Sequence, residues 1–220
     1  QLVLNLVEPQ SSGIGGGAFV LHWDAAAKQL KSYDGRETAP AAAKPDRFMA
    51  NDRPMKLSTA IYGGASVGVP GNLRALDAIH KQHGKLRWAE LFAPAIALAE
   101  QGFRVSPRLH LLLRWYGAEA FPPQSRRYFF DQTGSARPAG YLLKNPEFAA
   151  TLRALAERGP SAFYAGPIAQ AIVDAVSTAP NHQGDITLRD LAGYTAKERE
   201  PLCFTYRRNR VCSMGPPSSG

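Results

Sequence analysis

Four places in this 220-residue chain carry residue types suited to chemistry. Arg36 lies in Asp34-Gly35-Arg36-Glu37-Thr38-Ala39-Pro40; from the residues alone it reads as an ion-pairing cation, with Asp34 two residues back on the same strand face or with Glu37 beside it. Ser66 centres Gly64-Ala65-Ser66-Val67-Gly68, the G-x-S-x-G spelling of a nucleophile elbow, with His80, His83, His110 and His182 downstream as possible bases. Gly13 to Ala18 reads G-I-G-G-G-A, which satisfies the dinucleotide fingerprint, and Asp34 follows at a tolerable distance. Cys203 and Cys212 are the chain's two cysteines.

The elements around these residues decide between the readings. Leu2, Val3, Leu6 and Val7 recur at helical spacing and Pro9 stops the pattern, so the chain enters as the last turns of an apolar helix. Ser11 to Gly17 is nearly free of side chains, a corner or a cradle. Phe19, Val20, Leu21 and Trp23 then make an almost unbroken apolar run, predicting a strand covered on both faces in mid-sandwich. A second strand returns and delivers Arg36 to its end. The glycines therefore lie between a helix and a strand, whereas a dinucleotide site needs a strand followed by a helix whose N-terminus holds the pyrophosphate. No Walker lysine is present, and a tight corner without a ligand is the better reading. For Ser66 an elbow requires a hydrophobic strand before it and a helix directly after. Leu57 to Tyr62 is weakly strand-like and Val69-Pro70-Gly71 intervenes, which argues against it.

Further along, Ala41 to Asn51 reads as a loop with a short helical turn. Leu73, Leu76 and Ile79 mark a helix, and Trp88 to Ala99 fits the amphipathic template with Gly102 as its C-cap. Pro94 inside that pattern predicts a kink or two abutting helices. Leu109 to Trp115 suggests another short helix. Between Tyr116 and Pro146 prolines and glycines break the pattern into surface loop. Two amphipathic helices follow, around Leu152 and around Ile172, separated by the Gly159-Pro160 turn. Thr187 and Asp190 have capping-box spacing for a short helix over Thr187 to Ala192. The segment Pro201 to Pro217 reads as a hairpin: with Arg207 and Arg208 in the turn, Cys203 falls opposite Cys212 at a non-hydrogen-bonded position. They are a disulfide in an oxidising compartment, thiols in a reducing one, or simply two small buried hydrophobes. The cysteines and dispersed histidines have no zinc spacing.

The formal charge is +8, with 45% hydrophobic and 20% charged residues. The arginines are scattered, adjacent at Arg126-Arg127 and Arg207-Arg208, so the charge reads as a solvated basic surface rather than a nucleic-acid footprint. No run approaches 18 apolar residues and no signal-peptide pattern opens the chain. Its opening inside an apolar helix and its close on Pro216-Pro217-Ser218-Ser219-Gly220 read as a fragment, residues 1–220 forming part of one larger domain.

GIGGGAF with its hairpin and D-G-R-E-T-A-P, then SVGVPGNLRAL, GKLRWAELFAPAIALAEQGFRVS, GPSAFYAGPIAQAIV, GDITLRDLAGYTAKEREPL and MGPPSSG resemble, in order and over nearly the whole chain, the large-subunit region of the γ-glutamyltranspeptidases, or glutathione hydrolases. The resemblance implies an α+β, N-terminal-nucleophile hydrolase fold, a four-layer αββα sandwich, incomplete in this fragment. It implies a precursor that cleaves itself and a small subunit whose N-terminal threonine attacks the γ-glutamyl amide of glutathione or another γ-glutamyl compound. The acyl group then passes to water, an amino acid or a dipeptide. That threonine lies beyond Gly220, so this chain alone is expected to be inactive and to hold no catalytic residue. The one functional position that carries over is Arg36, matching the arginine that binds the substrate α-carboxylate, a role suited to a bidentate guanidinium. Ser218 and Ser219 belong to the P-P-S-S-G block and not to the family's substrate-binding serines. No cofactor, metal, nucleic acid or membrane span is implied, and the location expected is periplasmic or extracellular. Other readings are a fold relative that cleaves a different amide, such as a cephalosporin acylase or a capsule-processing transpeptidase, a serine esterase using Ser66, and a non-catalytic scaffold.

Overall fold

A computed structural model describes residues 1–218, Ser58 by its backbone alone; Ser219 therefore lies outside the described residues. Helix α1 (Leu4–Val7) precedes the strands β1 (Ala18–Asp24) and β2 (Gln29–Gly35). Next come β3 (Met49–Ala50), β4 (Arg53–Pro54), α2 (Leu57–Ile61) and α3 (Asn72–His83). They are followed by α4 (Ala93–Gln101), β5 (Phe103–Arg104), α5 (Pro107–Tyr116), α6 (Pro123–Phe129), β6 (Leu142–Leu143) and α7 (Pro146–Arg158). Last are α8 (Ser161–Tyr164), α9 (Pro167–Ser177), α10 (Leu188–Gly193), β7 (Lys197–Arg199), β8 (Leu202–Tyr206) and β9 (Asn209–Ser213). These elements form two compact units, Gln1–Gly13 with Leu86–Gly159, and Ile14–Lys85 with Pro160–Gly220.

The first unit is mostly helical. α1 ends just before Pro9, as the apolar spacing predicts. The Trp88–Phe92 segment is a 3-10 turn abutting α4, so the proline expected to split this helix does so: Pro94 sits in the first turn of α4, where a missing N–H goes unmissed. Gly102, at φ 96°, closes α4 in a conformation that suits glycine. Ser106 and Asn145 cap α5 and α7 by accepting from the N–H groups of Leu109 and Phe148. Leu6, Ala99, Phe103, Val105, Leu109, Leu113, Phe130, Leu143 and Ala149 pack as one core. Two of these correct the expectation of a surface loop between Tyr116 and Pro146. Leu143 is in β6, which pairs with β5, and Phe130 follows α6; both are buried. Of the prolines read as breakers, Pro122 and Pro123 lie at the start of α6, where they are tolerated, and a seven-residue helix shows too little periodicity to be noticed.

The second unit is built on an antiparallel sheet of order β1-β2-β7. Tyr33 of β2 is buried, and the Ser32 hydroxyl donates to the Arg199 carbonyl at 2.6 Å. The prediction for β1 needs correction: Leu21 is 39% and Trp23 57% exposed. Among the described residues β1 pairs with β2 alone, so it is an edge strand with an open face, and its apolar run is not covered twice. The predicted loop after Ala41 contains the two-residue ladder β3–β4, whose turn places Asn51 and Asp52 at φ 51° and 58°, the left-handed geometry that lets a tight hairpin follow strand twist. α3 runs as expected from Asn72, and α10 carries the predicted capping box. The Thr187 hydroxyl accepts from Asp190 N–H, and the Asp190 carboxylate accepts from Thr187 N–H. The last hairpin has the predicted register, Tyr206 opposite Asn209 and Cys203 opposite Cys212 with Cα atoms 4.1 Å apart. Of the readings left open for the cysteines, the disulfide is the one present.

Candidate functional site

The chemistry-bearing residues of the second unit meet at the end of β2. Once the pairing of Ala18 with Gly35 closes the β1–β2 ladder, the chain turns away and Arg36 to Pro40 run along one wall of an open cleft of about 490 Å³. Arg47, Phe48 and the Ala65 to Gly68 segment line the same cleft. The Arg36 wall is fixed through its backbone. Arg36 N–H donates to Asp34 Oδ1 at 2.9 Å, and its carbonyl accepts from the Tyr194 hydroxyl at 2.7 Å. Thr38 and Val69 exchange both backbone hydrogen bonds, at 3.3 and 2.8 Å. Glycine is required on either side of Glu37. A Cβ on Gly17 would stand 2.6 Å from Glu37 Oε2 and 2.8 Å from its backbone nitrogen, and one on Gly68 would stand 2.8 Å from Glu37 Cβ.

The side chain of Arg36 is left accessible. That side chain is 54% exposed, and its guanidinium pairs with Glu37, Nη1 to Oε2 at 3.1 Å. Of the two partners considered from sequence, Asp34 instead takes Arg199, 2.7 Å from Nε to Oδ2, and serves Arg36 through the main chain. The Glu37 carboxylate is the more enclosed partner, its side chain 29% exposed, so the pair leaves the Arg36 guanidinium open on its cleft side, where a planar fork can take a ligand carboxylate.

Arg47 has a different task. Its side chain is 14% exposed, with both Nη atoms on the Asp185 carboxylate at 2.9 and 2.6 Å and Nε on the Ala65 carbonyl at 2.8 Å. That fork holds the Asp185 carboxyl below its ordinary range, the hydrogen bond from Arg47 being the main cause. Arg47 therefore fastens the floor of the cleft and is committed to that duty. Nothing in the sequence pattern around Arg47 marks it, since it stands in a stretch without helical or strand period.

Ser66 lines the cleft but is no elbow. The element before it is α2 rather than a strand, and Val67 continues in extended backbone toward the Thr38 pairing. The Ser66 hydroxyl lies 2.8 Å from both the Ile61 and Gly63 carbonyls, so its proton is turned onto backbone. His83 instead stacks on His22 and meets the Tyr33 hydroxyl, and His182 contributes its carbonyl to Ala65 N–H at 2.7 Å. In the first unit, His110 Nδ1 lies 2.9 Å from the Arg137 carbonyl. The glycine fingerprint is likewise absorbed by structure: the Gly16 carbonyl accepts from the N–H groups of Gly71 and Asn72 at 3.1 and 3.0 Å, closing the N-terminus of α3 that a phosphate would need.

Comparison with known proteins bears on the family of the chain. The gamma-glutamyltranspeptidase family matches residues 1–220. Glutathione hydrolase 2 of Arabidopsis thaliana is 39% identical over 219 residues, 100% of this chain and 36% of the plant protein. The crystal structure of Helicobacter pylori gamma-glutamyltranspeptidase superposes with a TM-score of 0.91 at 32% identity, covering 99% of this chain and 62% of that one. Cephalosporin acylase from Bacillus halodurans superposes with a TM-score of 0.82 at 31% identity, covering 98% of this chain and 40% of that one. The chain thus spans about a third of the length of the plant relative.

Proposed function

Because the chain belongs to the gamma-glutamyltranspeptidase family and carries part of its α+β, N-terminal-nucleophile hydrolase fold, we propose that it is the large-subunit portion of a γ-glutamyl transferase and glutathione hydrolase. Arg36 binds the α-carboxylate of the γ-glutamyl substrate. The nucleophile is the N-terminal threonine of a small subunit cut from the same precursor, and residues 1–220 by themselves are inactive. The acyl group goes to water, an amino acid or a dipeptide.

The single observation that carries this reading is the state of Arg36. It stands at the end of β2, its backbone held on both sides and its side chain half-exposed over a cleft, beside the Glu37 carboxylate. The Cys203–Cys212 disulfide supports a periplasmic or extracellular location, since such bonds persist where thiols are not kept reduced. In the full-length protein Arg36→Ala should raise KM for γ-glutamyl anilide by about ten- to several hundred-fold, as loss of a charge-assisted pair does. A normal KM would refute the assignment. N-terminal sequencing of the preparation should find a second chain that starts with threonine.

A second reading draws on the likeness to the cephalosporin acylase. Here the same arm would face a glutaryl rather than a γ-glutamyl side chain. Assaying glutaryl-cephalosporin beside γ-glutamyl anilide separates them; the first reading expects turnover of the anilide and little of the cephalosporin.

A further inference from the structure

We infer that Tyr194 and Asp190 are positioning residues for Arg36 to Pro40, acting from the short helix α10 and the residue that follows it to pin that segment at both ends. The inference rests on the reading of Arg36 as the carboxylate-binding residue and adds to it the machinery that sets the guanidinium's reach.

The geometry is a bracket. At the near end the Tyr194 hydroxyl donates to the carbonyl of Arg36 at 2.7 Å, and at the far end Asp190 Oδ1 accepts from Ala41 N–H at 3.0 Å. Between these two bonds lie Arg36 to Pro40, the residues that form the cleft wall. Asp190 uses its other oxygen, Oδ2, for the capping box, accepting from the N–H and hydroxyl of Thr187 at 2.9 and 2.7 Å. Capping α10 needs only that oxygen. The bond to Ala41 spans 149 positions of sequence and ties the helix to the arm.

Tyr194 is itself braced. Its ring stacks on Tyr164 with centroids 6.3 Å apart and planes within 14°. The Tyr164 hydroxyl donates to the Pro70 carbonyl at 3.0 Å, and the Arg74 guanidinium lies 4.4 Å over the Tyr164 ring. Gly71 packs directly against the Tyr194 phenol, where any Cβ would collide. The phenol therefore has one place to be, and Arg36 takes its position from it. A long side chain grips a carboxylate well only when its own backbone is held to within a fraction of an ångström, and that precision has to come from surrounding residues.

The test uses the full-length protein and two anilides, γ-glutamyl anilide and 4-aminobutanoyl anilide, which differ by the α-carboxylate. Tyr194→Phe keeps the ring stack and removes the donated hydrogen bond; Asp190→Ala removes the far pin together with the α10 capping-box carboxylate. Each should raise KM for γ-glutamyl anilide about three- to ten-fold, the range of one neutral or partly charged hydrogen bond, with kcat nearly unchanged. KM for 4-aminobutanoyl anilide should stay where it is. Equal losses on both anilides, or no loss on either, would overturn the inference, because a merely structural role does not select for the carboxylate. Arg36→Ala in the same series keeps the two ideas apart. If it leaves the preference for the carboxylate-bearing anilide intact, the carboxylate-binding reading falls and the positioning role falls with it; if it abolishes the preference while Tyr194→Phe and Asp190→Ala do not weaken it, only the positioning role falls.

Discussion

At the scale of single residues, the two arginines of the cleft have opposite duties, and the difference is measurable. Arg47 is held at three points by Asp185 and the Ala65 carbonyl, a geometry lysine cannot reproduce. Arg47→Lys should lower unfolding free energy by about 1–2 kcal/mol in urea titration, the half-open carboxylate being partly screened by water. The pH dependence follows from the direction of each shift. Asp185 titrates lower in the folded protein than in the unfolded chain, so its contribution is full above the ordinary carboxylate range and is lost as pH falls through its depressed value. Asp185→Asn should flatten that acid limb. Tyr194 moves the other way: burial pushes its phenol up to about 12, so the stability it lends is intact below pH ~10 and fades as pH rises toward its folded value. Ultraviolet titration should show one fewer late-ionising tyrosine in Tyr194→Phe.

At the scale of elements, what could be read in advance was whatever repeats or counts. The register of β8 and β9 followed from two turn residues and outward counting, which put Cys203 against Cys212. Thr187 and Asp190 announced α10 by spacing, and Pro94 announced the break before α4. The strand end that presents Arg36 was equally visible. Arg47, Tyr194 and the Asp190 bond to Ala41 were not, because each acts across a sequence gap that no local pattern encodes. Phe130 and Leu143 were missed for a different reason: one follows and the other sits in an element too short to show a period. The disulfide makes its own prediction. A lone two-stranded hairpin is marginal in water, and closing a loop of about ten residues stabilises it by about 2–3 kcal/mol. Replacing both cysteines by serine should speed amide exchange across β8 and β9 while the β1–β2 ladder keeps its protection.

At the scale of the whole molecule, each compact unit has its own buried set, Leu109 and its neighbours in one and Tyr33, Leu73, Tyr164 and Leu191 in the other. Leu109→Ala removes a fully packed side chain and should cost about 2–5 kcal/mol. Amide exchange should quicken first in α5 and in the β5–β6 pair. Functionally the expectation is asymmetric. The full-length protein should release aniline from γ-glutamyl anilide, whereas residues 1–220 expressed alone should not, and Ser66→Ala should leave the full-length rate unchanged.

Trp23 stands open on the free face of β1. The chain's other two tryptophans, Trp88 and Trp115, fall within Leu86–Gly159, so replacing both by phenylalanine leaves an indole that reports on the sheet alone. In residues 1–220 its emission should be red-shifted and readily quenched by iodide. In the full-length protein of the proposed reading, with any tryptophan outside residues 1–220 likewise replaced, a blue shift with loss of quenching would show the apolar face of β1 gaining a cover.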